Sequence, residues 1–373
     1  MLVTRRSALV GALALGATRA AMAGPIAAED AAGLATIAGA RGILFGSAIG
    51  RRGLGDPAYR TLVQRQSRVI TPENALKWVA LRPTADTFDF SETDRVVGWA
   101  KGAGLAVRGH TLLWPRQDRY PDWLKTYDFG SRPAEQAQMI VGRHVVAVVQ
   151  RYASRIQSFD VVNEAVDPAT GALRDSHLAR ASGDLEGLID VAFELAHQAA
   201  PKAELVYNDY MDWGAWSEKH RAGVLRLLGA LRKRGTPIHA LGIQCHINAD
   251  GGAIGPRERA WRAFLDEVTG MGYRLLVTEF DVDDRDISGS VAERDRAVAD
   301  YARAYCDIIL RYPTLTTFVT WGLSDRFSWL DGFMPRADGQ HKRGCPFDDA
   351  FAPKPLRDSL AAAFAAAPPR AAR

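Results

Sequence analysis

Residues 158–164 read Ser158-Phe159-Asp160-Val161-Val162-Asn163-Glu164, a short strand-like run that ends on a carboxylate. β-Branched and aromatic residues suit a pleated, buried strand, whereas a carboxylate at the end of such a run is costly to bury without a partner or a task. The same grammar recurs along the chain. Apolar runs at 43–49, 68–72, 106–113, 158–162, 204–207, 240–247, 274–282 and 316–321 each precede an amphipathic stretch, which gives eight candidate strands.

Helical start and stop signals lie between the runs. Ser91-Glu92-Thr93-Asp94 opens an apolar face that ends at Gly102 and Gly104, and Asp184-Leu185-Glu186 opens another that stops before Pro201. Ser217-Glu218 begins a third, ending at Gly235. Strand and helix alternating eight times predict an α/β protein with parallel strands, most simply a single-domain (β/α)8 TIM barrel; a doubly wound open sheet is the alternative. The polar residues decide between the two. His110, Asn163 with Glu164, Asn208 with Asp209, His246, Glu279 with Asp281, and Ser324 with Asp325 all fall at C-terminal strand ends. In a closed barrel those ends converge on one face, where active sites lie.

The rest of the sequence bounds the context. A chain of 373 residues with 47% hydrophobic and 24% charged residues is an ordinary globular composition, which excludes intrinsic disorder. The formal charge of +4 falls to +1 once Arg5, Arg6 and Arg19 of the N-terminal segment are set aside, so no nucleic-acid footprint is expected. Residues 1–23 read as an export signal: basic at Arg5 and Arg6, apolar from Ala8 to Ala17, with a cleavage site after Ala21-Met22-Ala23. Thr4-Arg5-Arg6-Ser7-Ala8-Leu9 is similar to a twin-arginine signal, with Sec export the alternative. The apolar run is far shorter than the roughly 20 residues of a membrane span. A periplasmic or secreted protein with no membrane partner is expected, with residues 24–373 as one catalytic barrel and a monomer as its state.

Three widely spaced cysteines, Cys245, Cys306 and Cys345, make neither a disulfide framework nor a metal box, and Cys245 reads as a small buried hydrophobe. With no His-x-x-x-His or Cys-x-x-Cys spacing, neither a metal nor another cofactor is expected. Gly50-Arg51-Arg52-Gly53-Leu54-Gly55 has the wrong glycine spacing for a dinucleotide fingerprint and reads as the first strand-to-helix loop.

Two carboxylates carry the chemistry. Glu164 ends one apolar run, and Glu279 ends Leu275-Leu276-Val277-Thr278-Glu279. Side chains alternate along a strand, so Glu279 shares a face with Asp281, and Gln244 shares one with His246 and Asn248. A carboxylate pair flanking an aromatic-lined cleft is the apparatus of glycoside hydrolysis, one group protonating the leaving oxygen and the other attacking the anomeric carbon.

At this point the chain resembles glycoside hydrolase family 10, the endo-β-1,4-xylanases, over roughly residues 41 to 362. Thr71-Pro72-Glu73-Asn74-Ala75-Leu76-Lys77-Trp78 is similar to the second-strand motif and Arg108-Gly109-His110-Thr111-Leu112-Leu113-Trp114 to the third. Phe159 to Ala165 matches the acid/base motif, Tyr207-Asn208-Asp209-Tyr210 the fifth strand and Gly242-Ile243-Gln244-Cys245-His246 the sixth. Val277-Thr278-Glu279-Phe280-Asp281 matches the nucleophile motif, and Thr320 to Asp325 the eighth strand.

The resemblance implies endo-acting hydrolysis of β-1,4-xylosidic bonds in xylan and xylo-oligosaccharides. Configuration would be retained, with Glu164 as acid/base and Glu279 as nucleophile. A retaining pair needs carboxyls about 5 to 5.5 Å apart, with Glu164 protonated at the outset and Glu279 ionised. It implies Asn163, His246 and Asp281 as supporting groups, with Lys77, His110, Gln244 and Trp321 around the cleaved sugar and Glu73 and Asn74 at the next sugar outward. Asn208 and Tyr210 match further substrate-side positions. His110 also fits a hydrogen-bonded core histidine. Sugar rings stack their C–H faces on aromatic planes, for which Trp321 and Trp329 are the first choices. Trp114, Trp123 and Trp213 fit either a subsite or the core, and Trp78 reads as packing beneath Glu73 and Lys77. The match departs where the family commonly has His after the third-strand Trp: here Trp114 is followed by Pro115-Arg116-Gln117. Proline fixes φ and lacks an N–H, so a different loop path is expected, with Gln117 still offered to substrate. A related retaining β-1,4-glucanase or aryl-glycosidase, and a non-catalytic carbohydrate-binding barrel, are the competing readings.

Overall fold

The strands of the computed structural model, which describes residues 32–250 and 254–371, form one parallel sheet closed on itself. They are β1 (Leu44–Ile49), β2 (Val69–Pro72), β3 (Ala106–Leu113), β4 (Ile156–Asn163), β5 (Glu204–Asp209), β6 (Ala240–Ile243), β7 (His246–Asn248), β8 (Arg274–Asp283) and β9 (Leu315–Thr320). β6 and β7 together make one stave, so the barrel has eight. The ring closes through β1 on β9, with Gly46 opposite Val319, and β6 on β8, with Leu241 opposite Leu275. Closure leaves no exposed sheet edge, and it sends every strand's C-terminal end to the same mouth.

Local chemistry places the helices. Helix Pro57–Gln66 has proline in its first turn, and Asp56 Oδ1 accepts from the Ala58 and Tyr59 amides at 2.9 and 3.1 Å. Asp184 caps Leu185–Ala199 by accepting from the Gly187 amide at 2.9 Å, as its position before the apolar face predicts. Glu218–Arg234 stops at Gly235, whose φ of 82° is a left-handed C-terminal cap. With Ser91–Gly102, Pro133–Tyr152, Ile254–Gly270, Val291–Ile309 and Pro355–Ala366, these complete a covering layer of one helix per stave. Residues 50–55 are the end of a strand-to-helix connection carrying the short helix Arg51–Gly55.

One feature differs from the sequence reading. The expected strand 240–247 is interrupted at Gln244-Cys245, because Cys245 takes a φ of 63°, and the chain resumes pairing only at His246. The three cysteines are all buried and free. The apparent export signal, residues 1–23, lies outside the described residues. Among the described residues, no helix is long and apolar enough to cross a membrane.

The long segment after β9 folds back over the barrel mouth and is tied down by buried charge. Lys354 Nζ meets Asp325 at 2.6 Å, Lys342 Nζ meets Asp283 at 2.9 Å, and Arg294, paired with Asp284 at 2.6 Å, donates to the Gln340 side chain and the His341 carbonyl at 2.7 Å each. The Arg294 and Asp284 side chains are 1% and 0% exposed, so neither charge has water as an alternative partner. Removing Arg294 leaves the buried Asp284 carboxylate with the longer Arg336 ion pair at 3.7 Å and takes away the bonds to Gln340 and His341. Arg294→Met is therefore expected to lower unfolding stability by about 3–5 kcal/mol, measured from urea unfolding curves. A change within 0.5 kcal/mol, the size ordinary for a surface site, would contradict this anchoring role.

Candidate active site

A cleft of about 840 Å³ crosses the barrel mouth. Glu164 enters it directly after β4, with its backbone in the left-handed region at φ 54°. Its N–H donates to the Asn208 carbonyl at 2.8 Å, and its own carbonyl accepts from Arg174 Nε at 2.7 Å, which fixes this unusual turn from both sides. Glu279 stands on β8 and is 5% exposed. Asn208 Nδ2 donates to Glu279 Oε1 at 2.8 Å, while His246 Nε2 lies 3.2 Å from Oε2.

Glu279 is held ionised. Burial alone would push its carboxyl up, but His110, the His246 hydrogen bond and charge, and Lys77 outweigh that and hold it at about 2. His246 in turn has a carboxylate on each ring nitrogen, Asp281 Oδ1 at 2.8 Å from Nδ1 and Glu279 from Nε2. Both nitrogens must donate, so the ring is an imidazolium: burial lowers its pKa, the two carboxylates raise it, and it settles at about 10. Asp281 receives the Trp329 indole N–H on its other oxygen at 2.7 Å. Its carboxyl is pushed up by burial, against the pull of the imidazolium. His110, 1% exposed on β3, meets Asp160 at 3.0 Å and stands 3.8 Å from Glu279. Asp160 is anchored below by Arg108.

Side-chain amides join the two carboxylates. Gln244 Nε2 donates to Glu164 Oε1 at 3.0 Å and to Asn163 Oδ1 at 3.2 Å. Asn208 Nδ2, already on Glu279, also donates to Asn163 Oδ1 at 3.0 Å. Asn163 Nδ2 reaches Glu164 Oε1 at 3.4 Å.

Around this centre, Lys77 donates to Asn74 at 2.9 Å and sits over the Trp114 and Trp321 rings, 5.1 and 5.9 Å from their centroids. Its ammonium is lowered by burial despite Glu279, Glu73 and Glu164 nearby. Glu73 is raised, by burial first. Glu73, Trp321, Trp329 and Tyr210 line the same cleft, with the Tyr210 hydroxyl accepting from Arg174 Nη2 at 2.8 Å.

Two residues expected at substrate stand elsewhere. Gln117 is exposed, and its Oε1 accepts from the His177 amide at 2.8 Å instead of lining the cleft. Asn208 is fully buried behind the two glutamates and positions them. Of the ambiguous tryptophans, Trp114 lines the cleft. Trp213 is 1% exposed and hydrogen-bonded to Tyr301, and Trp123 donates to the Arg82 carbonyl and packs on Trp78. Trp78 itself is core. Arg116 escaped the sequence reading altogether: its Nη1 lies 2.8 Å from Glu164 Oε2. The one hint was its place next to the discordant Pro115. The exposed Trp216 and Phe333 also line the cleft and carry no sequence motif.

The profile of glycosyl hydrolase family 10 matches residues 33–363. The chain belongs to that family. Its relatives include the endo-1,4-beta-xylanase A of Caldicellulosiruptor sp. (strain Rt8B.4), 32% identical over 307 residues that make up 78% of this chain and 43% of that protein. The endo-1,4-beta-xylanase B of Paenibacillus barcinonensis is 31% identical over 297 residues, 76% of this chain and 85% of that one. The chain thus spans less than half of the first relative and most of the second. Among solved structures, native xylanase 10B from Thermotoga maritima superposes with a TM-score of 0.79 at 27% identity, covering 89% of this chain and 98% of that one. Xylanase 10B from Thermotoga petrophila RKU-1, in complex with xylobiose, gives 0.78 at 26% identity, covering 89% and 97%.

In this family 10 barrel, His246 supplies Glu279 with both a hydrogen bond and a charge. His246→Asn should therefore raise the Glu279 titration from about 2 by about one unit or more. Carbon-13 NMR of labelled glutamate carboxyls reads this directly, and an unmoved titration would remove His246 from the electrostatic account.

Proposed function

We propose that this protein is an exported, endo-acting β-1,4-xylanase that cleaves xylan and xylo-oligosaccharides with retention of anomeric configuration. The observation that carries the reading is the inequality of the two carboxylates. Glu279 is held ionised at about 2 with the His246 imidazolium on one oxygen, while Glu164, joined to it through Asn163, Asn208 and Gln244, faces a guanidinium that it shares with Asp118.

The chemistry follows. A Glu279 oxygen attacks the anomeric carbon while Glu164 gives its proton to the departing glycosidic oxygen, leaving a sugar ester on Glu279 and a carboxylate at Glu164. Esterification removes the Glu279 charge. A water then attacks the same carbon, loses its proton to Glu164, and releases Glu279 as the carboxylate. The proton spent in the first step is thereby recovered. Asn163, beside Glu164 at the cleft, is suited to a sugar hydroxyl whose hydrogen bond strengthens in the transition state. Trp321 and Trp329 offer planes for sugar C–H faces, and Glu73, Asn74 and Lys77 offer polar contacts at the rims. Relatives named as xylanases, and a solved neighbour holding xylobiose, favour xylose over glucose in those positions.

Proton NMR of residues 24–373 acting on β-1,4-xylohexaose tests the whole reading. β-Anomer appearing first from internal cleavage is expected. Turnover of the matching gluco-oligosaccharide alone would overturn the substrate, α-anomer first would overturn the mechanism, and inertness toward both would point to a binding barrel. Glu164→Gln should slow xylohexaose cleavage by about 10²–10⁴-fold, with a far smaller loss in the first step on an aryl xyloside whose leaving group needs no proton. An equal loss on both substrates would remove Glu164 from the acid role.

A further inference from the structure

The expected acid must hold a proton before reaction, yet its folded surroundings are built for the carboxylate. Glu164 Oε1 accepts from Gln244 Nε2 and Asn163 Nδ2, and Oε2 accepts from Arg116 Nη1 at 2.8 Å. Both oxygens face donors. A protonated carboxyl would have to donate a hydrogen of its own, whereas each of these contacts requires an oxygen that accepts.

Arg116 reaches this position because of the residue before it. Its backbone N–H donates to the Trp114 carbonyl at 2.8 Å, closing a three-residue turn centred on Pro115, whose ring fixes the φ such a turn requires. The turn sends the next side chain along the cleft wall. There the guanidinium is divided between two acids, of which Asp118 also pairs with Arg119 Nε at 3.1 Å. Nε and Nη2 take the two Asp118 oxygens at 3.1 and 3.0 Å, and only Nη1 serves Glu164. Arg116 is 24% exposed and Asp118 57%, whereas Glu164 is 7% exposed, so the guanidinium can leave Glu164 and stay paired.

The other groups bearing on Glu164 come from every neighbouring stave. Lys77 follows β2, Arg174 bonds its carbonyl from the loop after β4, Tyr210 follows β5, and Glu279 lies across the amide bridge on β8. Of these, Arg116 is the cation in direct contact with the carboxyl.

We infer that Arg116 is a positioning residue that keeps Glu164 as a carboxylate in the free protein and yields it to a proton when the leaving-group sugar pushes the guanidinium onto Asp118. This rests on the acid/base reading of Glu164 and adds a device to it. The proton is taken up with substrate, so acidity appears only when there is a bond to break.

The device separates two pH profiles. The basic limb of kcat/KM reports the free protein and that of kcat the complex, so the first should lie at lower pH than the second. Arg116→Met removes the positive neighbour, favours the protonated acid, and should move the kcat/KM limb up by about one unit or more while the kcat limb stays in place. Arg116→Lys keeps the charge and should restore part of that separation. Asp118→Asn leaves the guanidinium to Glu164 alone and should move the kcat/KM limb the opposite way, to lower pH.

An unmoved limb in Arg116→Met, equal movement of both limbs, or an upward shift in Asp118→Asn each overturns the inference. The same profile on Glu164→Gln with an aryl xyloside distinguishes the two levels. A basic limb that survives there removes Glu164 as the titrating group and sinks the acid/base reading itself; its disappearance leaves Arg116 alone under test.

Discussion

A full negative charge buried at the mouth of a barrel is the constraint on which the rest of the molecule depends. Glu279 can be an anion there because His110, the His246 imidazolium and Lys77 outweigh its burial, and the two histidines need support of their own. His246 is charged because Asp281 faces its far nitrogen, Asp281 is held by Trp329, and Trp329 sits on a segment pinned by buried ion pairs. On the other side, His110 leans on Asp160 and Asp160 on Arg108. The Glu279 carboxylate is thus the tip of two chains of hydrogen-bonded polar groups, one running down the barrel interior and one out into the covering loop.

Such chains require a closed barrel. Residues from β3, β7 and β8 meet at one point only because the strands are tilted round a ring and end at the same height. An open sheet would spread the same side chains along a line. The amide bridge of Asn163, Asn208 and Gln244 depends equally on closure, since it spans β4, β5 and the interrupted stave that continues as β7. The interruption at Gln244-Cys245 serves that geometry: the turn at Cys245 lies between Gln244, which bonds Glu164, and His246, which bonds Glu279.

The sequence made legible whatever is enforced by an abrupt change of polarity. An apolar run stopping on Glu164 or Glu279 is visible without a structure, because nothing but a task or a partner tolerates a carboxylate there. Helix ends at Asp184 and Gly235 were legible for a similar reason, being local hydrogen-bond chemistry. What stayed hidden depends on distant partners. Gln117 goes to an amide 60 positions away, and Trp213 to a hydroxyl 88 positions away. The left-handed backbone at Cys245 has no glycine to announce it. Arg116 combines both difficulties: Pro115 signals that the loop departs, but only the fold says that it departs toward Glu164.

The backbone at Glu164 carries a last consequence. A non-glycine residue at φ 54° gives up about 1–2 kcal/mol. Glycine or asparagine would relieve that cost, and either would remove the carboxylate. Backbone stability therefore selects against the carboxylate at this position, so drift toward a sturdier chain removes a polar group from the cleft. A descendant of this barrel freed from turnover would shed Glu164 before Glu279, whose site is buried and heavily braced.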